Sequence, residues 1–189
     1  LDRGGIVGED GVTHHGVFDM AAFGAVPGLT IAAPMDELEL RNMMYTGLQY
    51  GHPFMIRYPR GNGAGRLWRG VPFEALPVGR GRRLREGTDV ALVTVGTVGN
   101  AAARAAERAA AKGVRVAHYD LRFAKPLDEA LLAEVGANFR HVVTVEDGSL
   151  RGGVGEAVTA FFNARGCEVA VHSLGIGDEW VEHGTPAQL

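Results

Sequence analysis

The stretch DVALVTVGTVGNAAARAAERAAAKGVRVAHY, residues 89–119, contains a complete strand–helix–strand unit. Its first seven residues form an almost continuous apolar run, which is typical of a parallel strand covered on both faces. Residues 98–112 repeat apolar positions at helical spacing and stop before Gly113, a residue that favours a helix end. Residues 114–119 predict the second strand. Since such a unit normally forms a right-handed parallel crossover, this half of the chain is expected to be α/β.

The same alternation continues on both sides of this unit. Toward the C-terminus, residues 141–145 and 169–174 predict strands, and residues 127–135 and 153–163 predict helices. Toward the N-terminus, a strand at 29–33, a helix at 36–50 and a strand at 54–58 repeat the order. In that helix a stripe of small and apolar residues is expected to face a sheet: Leu40, Met43, Met44, Gly47 and Leu48.

The composition changes between the two halves. Residues 61–87 are rich in glycine, proline and arginine and have no period, which indicates a linker that Trp68 and Phe73 hold against a neighbouring surface. We therefore predict three segments. Residues 1–60 form the C-terminal half of one α/β domain, 61–87 the linker, and 88–189 a second α/β domain with a mostly parallel sheet.

Charge and composition narrow the function classes. The 189 residues are 46% hydrophobic and carry a net charge of only −3, so neither nucleic acid nor an anionic membrane surface is an expected main partner. No apolar run approaches the roughly 20 residues that span a bilayer. The single cysteine, Cys167, fits a reducing compartment, and no secretion signal opens the sequence. A cytoplasmic location is expected.

Two charged loops stand out in an otherwise apolar region. They are GEDGVTHHG, residues 8–16, and RYPRGNG, residues 57–63, the second at the carboxyl end of a predicted strand, where open α/β sheets bind ligands. A histidine near an aspartate has the parts for proton transfer near neutral pH, and arginines are the usual clamp for phosphate or carboxylate. The cluster predicts a site for an anionic substrate. Its members are Arg3, Asp10, His14, His15, Arg57 and Arg60.

For four other motifs we favour a structural explanation, or no function, over a functional one. GTVG, residues 96–99, lacks the spacing of a nucleotide loop, so a tight turn is preferred. The glycines at 148, 152, 153 and 155 are better explained by close packing of a helix on the sheet than by anion binding. Glu146 and Asp147 could be acid/base carboxylates, but no nucleophile lies next to them. Metal binding by Asp10, His14 and His15 is disfavoured because further oxygen ligands are missing.

Five motifs, in order and across almost the whole chain, resemble 1-deoxy-D-xylulose-5-phosphate synthases, a family of thiamine diphosphate enzymes related to transketolase. They are Asp2-Arg3, the run from Gly8 to Asp19, Arg57 to Gly63, Asp120 to Asp128, and Val145 to Gly148 with Gly152-Gly153. The resemblance implies the rear of a transketolase-like pyrimidine-binding domain, followed by a transketolase C-terminal domain.

The resemblance also implies roles for four residues. His14 matches the active-site histidine that moves protons during the reaction, and Asp10 matches the aspartate that organises the surrounding network. Arg3 and Arg60 match the arginines that hold the carboxylate of pyruvate and the phosphate of D-glyceraldehyde 3-phosphate. His15 has a weaker claim, since other residues occupy its place in the family, and Arg57 is expected to support the strand end.

The family's cofactors, thiamine diphosphate and Mg²⁺, are expected to be held mainly by residues upstream of Leu1, with His14 as a possible contact. The upstream part of the protein and a homodimer partner are therefore expected, and the isolated piece is expected to be inactive. Transketolase and the 2-oxo-acid dehydrogenase β subunit are the alternative enzymes. A non-catalytic dimerisation module is the alternative outside enzymes.

Overall fold

The computed structural model describes residues 1–189 and contains five α-helices and eight strands. In chain order these are α1 (Asp19–Gly24), β1 (Thr30–Ala32), α2 (Glu37–Tyr50), β2 (Phe54–Ile56), β3 (Arg82–Arg85), β4 (Val90–Val95), α3 (Val98–Ala110), β5 (Val116–Asp120), β6 (Phe123–Lys125), α4 (Glu129–Asn138), β7 (His141–Ser149), α5 (Val154–Ala164) and β8 (Ala170–Ile176). A short 3₁₀ turn, Gly11–Thr13, precedes α1. The predicted alternation of strands and helices is confirmed.

The larger sheet belongs to the C-terminal half and has the strand order β3-β5-β4-β7-β8. Strands β4, β5, β7 and β8 are parallel to their neighbours, and β3 is antiparallel at the edge. Its main core cluster buries Val93, Tyr119, Leu132, Val142 and Phe162 between the sheet and the helices α4 and α5. The prediction of a mostly parallel α/β domain is confirmed.

The smaller sheet has the order β2-β1-β6 and joins the two halves of the chain. Strands β1 and β2 are parallel, as the predicted crossover requires, whereas β6 from the C-terminal half pairs antiparallel with β1. Its core contains Ala32, Met43, Leu76 and Phe123. Strand β6 was not predicted, because three residues are too few to show a period.

Helix α2 begins at a cap and ends at a left-handed glycine. The Asp36 carboxylate accepts a hydrogen bond from the Glu39 amide at 2.8 Å, and Gly51 has φ 72°. The predicted burial of its stripe is wrong for Met44 and Leu48, which are exposed. The face turned inward is polar apart from one methionine: Glu39, Asn42, Met43 and Thr46.

The polar inward face is explained by the segment that covers it. The Thr46 hydroxyl accepts a hydrogen bond from the Leu76 amide at 2.8 Å, and Arg41 donates to the carbonyls of Trp68, Val71 and Pro72 at 2.7–2.8 Å. An irregular segment packed on a helix brings backbone groups that need partners, so polar side chains face it. The segment is held in place, with Phe73 against Tyr45 and its ring 4.5 Å from the Arg41 guanidinium.

Strand β3 lies inside the residues expected to be linker. Arg82 pairs with Asp120 and Arg83 with Tyr119, so the end of the 61–87 segment is an edge strand of the larger sheet. This strand was not predicted from its sequence, RRLR, because an edge strand with charged side chains lacks an apolar pattern. The division of the chain at residues 60 and 88 stays a prediction.

A buried polar network fastens α2 to the larger sheet. The Glu39 carboxylate accepts a hydrogen bond from Arg122 Nε at 2.8 Å and lies 3.0 Å from the Arg82 guanidinium. That guanidinium also lies 3.0 Å from Asp120. Glu39 and Asp120 are almost completely buried, and burial, followed by the charge of Glu39, raises the pKa of Asp120 to about 7. This network fixes how the two halves sit against each other. None of the helices is long and apolar enough to cross a bilayer.

Candidate functional site

The first charged loop is closed at its base by backbone hydrogen bonds. Gly5 and Gly16 exchange bonds of 2.8 and 2.9 Å, and the Gly4 amide donates to the Tyr58 carbonyl at 2.8 Å. Gly5 has φ 84°, and a Cβ there would lie 1.8 Å from the Asp147 carboxylate, so only glycine fits. The loop from Gly5 to Gly16 therefore rises from a narrow stem beside the end of β2.

Arg57 supports this stem from below. Its guanidinium is buried and makes an ion pair with Asp19, with Nε 2.6 Å from the carboxylate oxygen. Its Nη2 donates to the carbonyls of Gly16 and Asp147, both at 2.9 Å. The predicted supporting place of Arg57 at the strand end agrees with these contacts.

The two carboxylates at the end of β7 are occupied by backbone groups. Asp147 accepts from the Ile6 amide at 3.1 and 3.3 Å, and Glu146 accepts from the amides of Val154 and Gly155 at 2.9 and 2.8 Å. Burial raises the pKa of both carboxyls above their usual range. Asp147 holds the stem of the loop from Gly5 to Gly16, and Glu146 caps α5. The sequence does not indicate these hydrogen bonds, because the partners are backbone amides and that of Asp147 lies 141 positions away in the chain.

The structure brings Asp10 and Arg60 into direct contact. Their ion pair joins the tip of the first loop to the second loop. The side chains are 34% and 48% exposed, so the guanidinium remains open to an anion from solvent. A carboxylate on one side of an arginine fixes its orientation and leaves its other N–H groups free to bind a ligand.

His14 lies on the same loop with an exposed side chain. The only hydrogen-bond partner of its imidazole is the Thr13 hydroxyl, 2.8 Å from Nδ1, so Nε2 has no partner. Arg3 adopts φ 62°, an uncommon conformation for a non-glycine residue, and its guanidinium is 3.9 Å from Asp2. The side chains of His14 and Arg3 make no hydrogen bond or ion pair with Asp10 or Arg60.

A cavity of about 850 Å³ lies next to the second loop. One wall is the loop itself, from Tyr58 to Ala64, and another is the start of α2. The third is the start of α3 with Thr97, Asn100 and Arg104. Both halves of the chain therefore line this cavity, which lies beside Arg60 in the chain but is not lined by Arg3, Asp10, His14 or Arg60.

The glycine motifs take the favoured structural roles. Gly96 has φ 77° and its carbonyl accepts from the Gly99 amide at 3.0 Å, which is a tight turn. A Cβ on Gly153 would lie 2.2 Å from the Ser149 carbonyl, and one on Gly155 would lie 2.5 Å from the Ser173 hydroxyl. Close packing of α5 on the sheet therefore requires both glycines.

Asp10, His14 and His15 point to different partners. Asp10 pairs with Arg60, His14 with Thr13, and His15 accepts from the Val7 amide at 3.0 Å. No group of three or more His, Cys, Asp or Glu side chains is placed to hold a metal ion within residues 1–189. These residues therefore do not fit a Mg²⁺ site of their own.

The C-terminal segment is a part of the site that the sequence did not indicate. The Gly184 amide donates to the Gly8 carbonyl at 3.3 Å, and His15 Nε2 lies 3.4 Å from the Glu182 carbonyl. These residues are separated by more than 160 positions and carry no motif, so no sequence signal could have found the contact.

Comparisons with known proteins identify the two domains to which the chain belongs. The model of the transketolase pyrimidine binding domain matches residues 1–65, and that of the transketolase C-terminal domain matches residues 79–189. Curated proteins named 1-deoxy-D-xylulose-5-phosphate synthase are similar over the whole chain, with 55% identity for Bacteroides fragilis, 53% for Bacteroides thetaiotaomicron and 43% for Heliobacterium modesticaldum. The chain spans only 29% of the length of each.

Solved structures share the fold. A split-gene transketolase, solved as an inactive beta4 tetramer, is 29% identical with a TM-score of 0.79, over 88% of this chain and 55% of that one. A mutant transketolase from Pichia stipitis is 19% identical with a TM-score of 0.73, over 100% of this chain and 26% of that one. The chain belongs to the transketolase family, and it consists of residues of the pyrimidine-binding domain followed by a transketolase C-terminal domain.

Proposed function

We propose that the whole protein is a 1-deoxy-D-xylulose-5-phosphate synthase, which condenses pyruvate with D-glyceraldehyde 3-phosphate and releases CO₂. Identity of 43–55% over the full chain to relatives of that name supports this substrate pair over that of a transketolase. The observation that carries the proposal is the ion pair of Asp10 with Arg60, which fixes an arginine beside the loop of His14.

Each of the four residues has a chemical task in this proposal. Arg60, oriented by Asp10, binds the phosphate of the aldehyde, and Arg3 binds the carboxylate of pyruvate. His14 donates and accepts protons at oxygen atoms of the reacting carbons through Nε2, the nitrogen left open by Thr13. Loss of CO₂ leaves negative charge on carbon, so the site must also keep water away until the aldehyde binds.

Thiamine diphosphate supplies, when bound, the nucleophilic carbon and the electron sink for decarboxylation. We infer that Mg²⁺ and the diphosphate are held by parts of the protein outside this chain, since residues 1–189 offer no cluster of metal ligands. His14 is the residue of this chain proposed to approach the cofactor. The proposal also includes a cytoplasmic homodimer.

The test is CO₂ release from pyruvate by the complete protein with thiamine diphosphate and Mg²⁺, with and without the triose phosphate. We expect release that rises sharply with D-glyceraldehyde 3-phosphate and yields a five-carbon ketose phosphate. Ketol transfer from xylulose 5-phosphate without decarboxylation would instead make the protein a transketolase. Decarboxylation with acyl transfer to a lipoyl group would make it a 2-oxo-acid dehydrogenase component.

Two histidine variants separate catalysis from dimerisation. His14→Ala is expected to lower turnover by roughly 10²–10⁴-fold, the usual contribution of a general acid–base group. The matched control is His52→Ala, because His52 is also exposed and only packs its ring against Tyr50 at 5.1 Å. Equal turnover for wild type and His14→Ala, with an intact dimer, would favour the dimerisation module.

A further inference from the structure

His15 links the two sides of the loop from Gly5 to Gly16 with each other and with the C-terminal segment. Its Nδ1 accepts a hydrogen bond from the Val7 amide at 3.0 Å, across the loop that carries Asp10 and His14. Its Nε2 lies 3.4 Å from the carbonyl of Glu182 in the C-terminal segment. Because the Val7 amide can only donate, the ring proton must lie on Nε2, where it points to that carbonyl.

The C-terminal segment fits closely on the loop at two glycines. Gly8 has φ 97°, and a Cβ there would lie 2.8 Å from the Gly184 carbonyl and 2.9 Å from Pro186 Cδ. At Gly11 a Cβ would lie 3.2 Å from the side chain of His183. The Gly184 amide completes the contact with its bond to the Gly8 carbonyl at 3.3 Å.

An aromatic contact extends the same surface. The rings of Phe18 and Trp180 lie edge to face with centroids 5.5 Å apart. Phe18 lies two residues after the loop, and its ring packs on the indole of Trp180, which is 70% exposed.

We propose that His15 and residues 180–186 form a clasp that holds the His14 loop in its working position, so that His15 is a positioning residue and not a proton carrier. Both ring nitrogens of His15 face backbone groups, whereas Nε2 of its neighbour His14 is open. Through this clasp the C-terminal segment affects the reaction indirectly, by holding the loop that carries His14. This inference rests on the proposed function only for its catalytic consequence.

The experiment uses the complete protein and two kinds of readout. Hydrogen exchange of the peptide covering residues 8–16 reports the loop itself and does not depend on activity. Steady-state kcat and KM for pyruvate report the catalytic consequence. The variants are His15→Leu, which removes both bonds at similar size, and His15→Gln, whose amide can accept and donate in the same places. His52→Leu is the matched control.

His15→Leu is expected to speed exchange of residues 8–16 by on the order of tenfold, the usual effect of lost hydrogen bonds, and to lower kcat by a similar factor with KM nearly unchanged. His15→Gln should restore most of both quantities, and His52→Leu should change neither. Trp180→Ala provides a second variant at an exposed position, and its loop exchange should rise roughly two- to tenfold.

Unchanged loop exchange in both His15→Leu and Trp180→Ala would overturn the clasp. Faster exchange with unchanged kcat would overturn its positioning role. If loop exchange is faster in the variants but the wild-type protein makes no ketose phosphate, the clasp is supported and the proposed function is refuted. The failure of the clasp and the failure of the proposed function are therefore distinct outcomes.

Discussion

Replacement of Arg57 by leucine should open the stem of the His14 loop. Arg57 and Asp19 are each only 5% exposed, and their ion pair has an N–O distance of 2.6 Å. Removing one partner of a buried pair leaves an uncompensated charge and typically costs about 3–5 kcal/mol. The substitution also removes the hydrogen bonds that Arg57 Nη2 donates to the carbonyls of Gly16 and Asp147. A loss of at least about 3 kcal/mol is therefore expected for opening of this stem.

Native-state hydrogen exchange on the complete protein measures this loss directly. The amides of Gly5 and Gly16 close the stem, so their exchange should become roughly 100-fold faster or more in Arg57→Leu. Arg140→Leu is the matched control, because its ion pair with Glu168 is exposed on both sides and should have no resolvable effect.

The double variant Asp19→Asn/Arg57→Leu tests the cause. If the buried charge of Asp19 is responsible, the double variant should exchange more slowly at the stem than Arg57→Leu alone, since no carboxylate is left unpaired. The argument from buried charge would be refuted if the free-energy cost in the double variant equalled the sum of the costs of the two single substitutions. A loss below about 1 kcal/mol for Arg57→Leu would also refute it.

Two further predictions concern stability. Burial, followed by the charge of Glu39, raises the pKa of Asp120 to about 7, so the folded protein holds a proton that the unfolded chain releases near 3.8. Stability should therefore fall as pH rises from 4 to 7. Denaturant titrations of Asp120→Asn should show a flatter pH dependence of stability than the wild type, and an equal slope would contradict the assignment. Gly5→Ala places a Cβ 1.8 Å from the Asp147 carboxylate and should lower the melting temperature far more than the control Gly28→Ala. Gly28 has φ 73° but open space around it, so its replacement should cost only about 1–2 kcal/mol of folding free energy. Equal melting temperatures for the two variants would contradict the steric argument.

Much of the architecture was predictable from local pattern. The apolar run at 90–95 and the helical spacing of α3 indicated the parallel core of the larger sheet, and the helix predicted at 36–50 matches α2. These signals are local, since periodicity and capping depend on residues a few positions apart. The same holds for the tight turn at Gly96 and the packing glycines before α5.

The outward faces of α2 show where local pattern stops being sufficient. Met44 and Leu48 have the spacing of a buried stripe but are exposed, because the segment that covers the helix brings unpaired backbone groups and selects Asn42 and Thr46 instead. Strand β6 likewise depends on a partner nearly a hundred residues away. The spacing of hydrophobic residues indicates which face of a helix is apolar, but it does not indicate which segment of the chain packs against that face.

The candidate site divides in the same way. The sequence by itself determined the residue types from which we predict an anion-binding, proton-transferring site, because Asp10, His14 and Arg60 stand in short motifs. Only the tertiary structure decided that Asp10 meets Arg60, that Asp147 and Arg57 hold the stem, and that the C-terminal segment lies on the loop. Those contacts join positions 50 to more than 160 residues apart, and they exist only once the sheets and the buried network of Glu39 have placed both halves of the chain together.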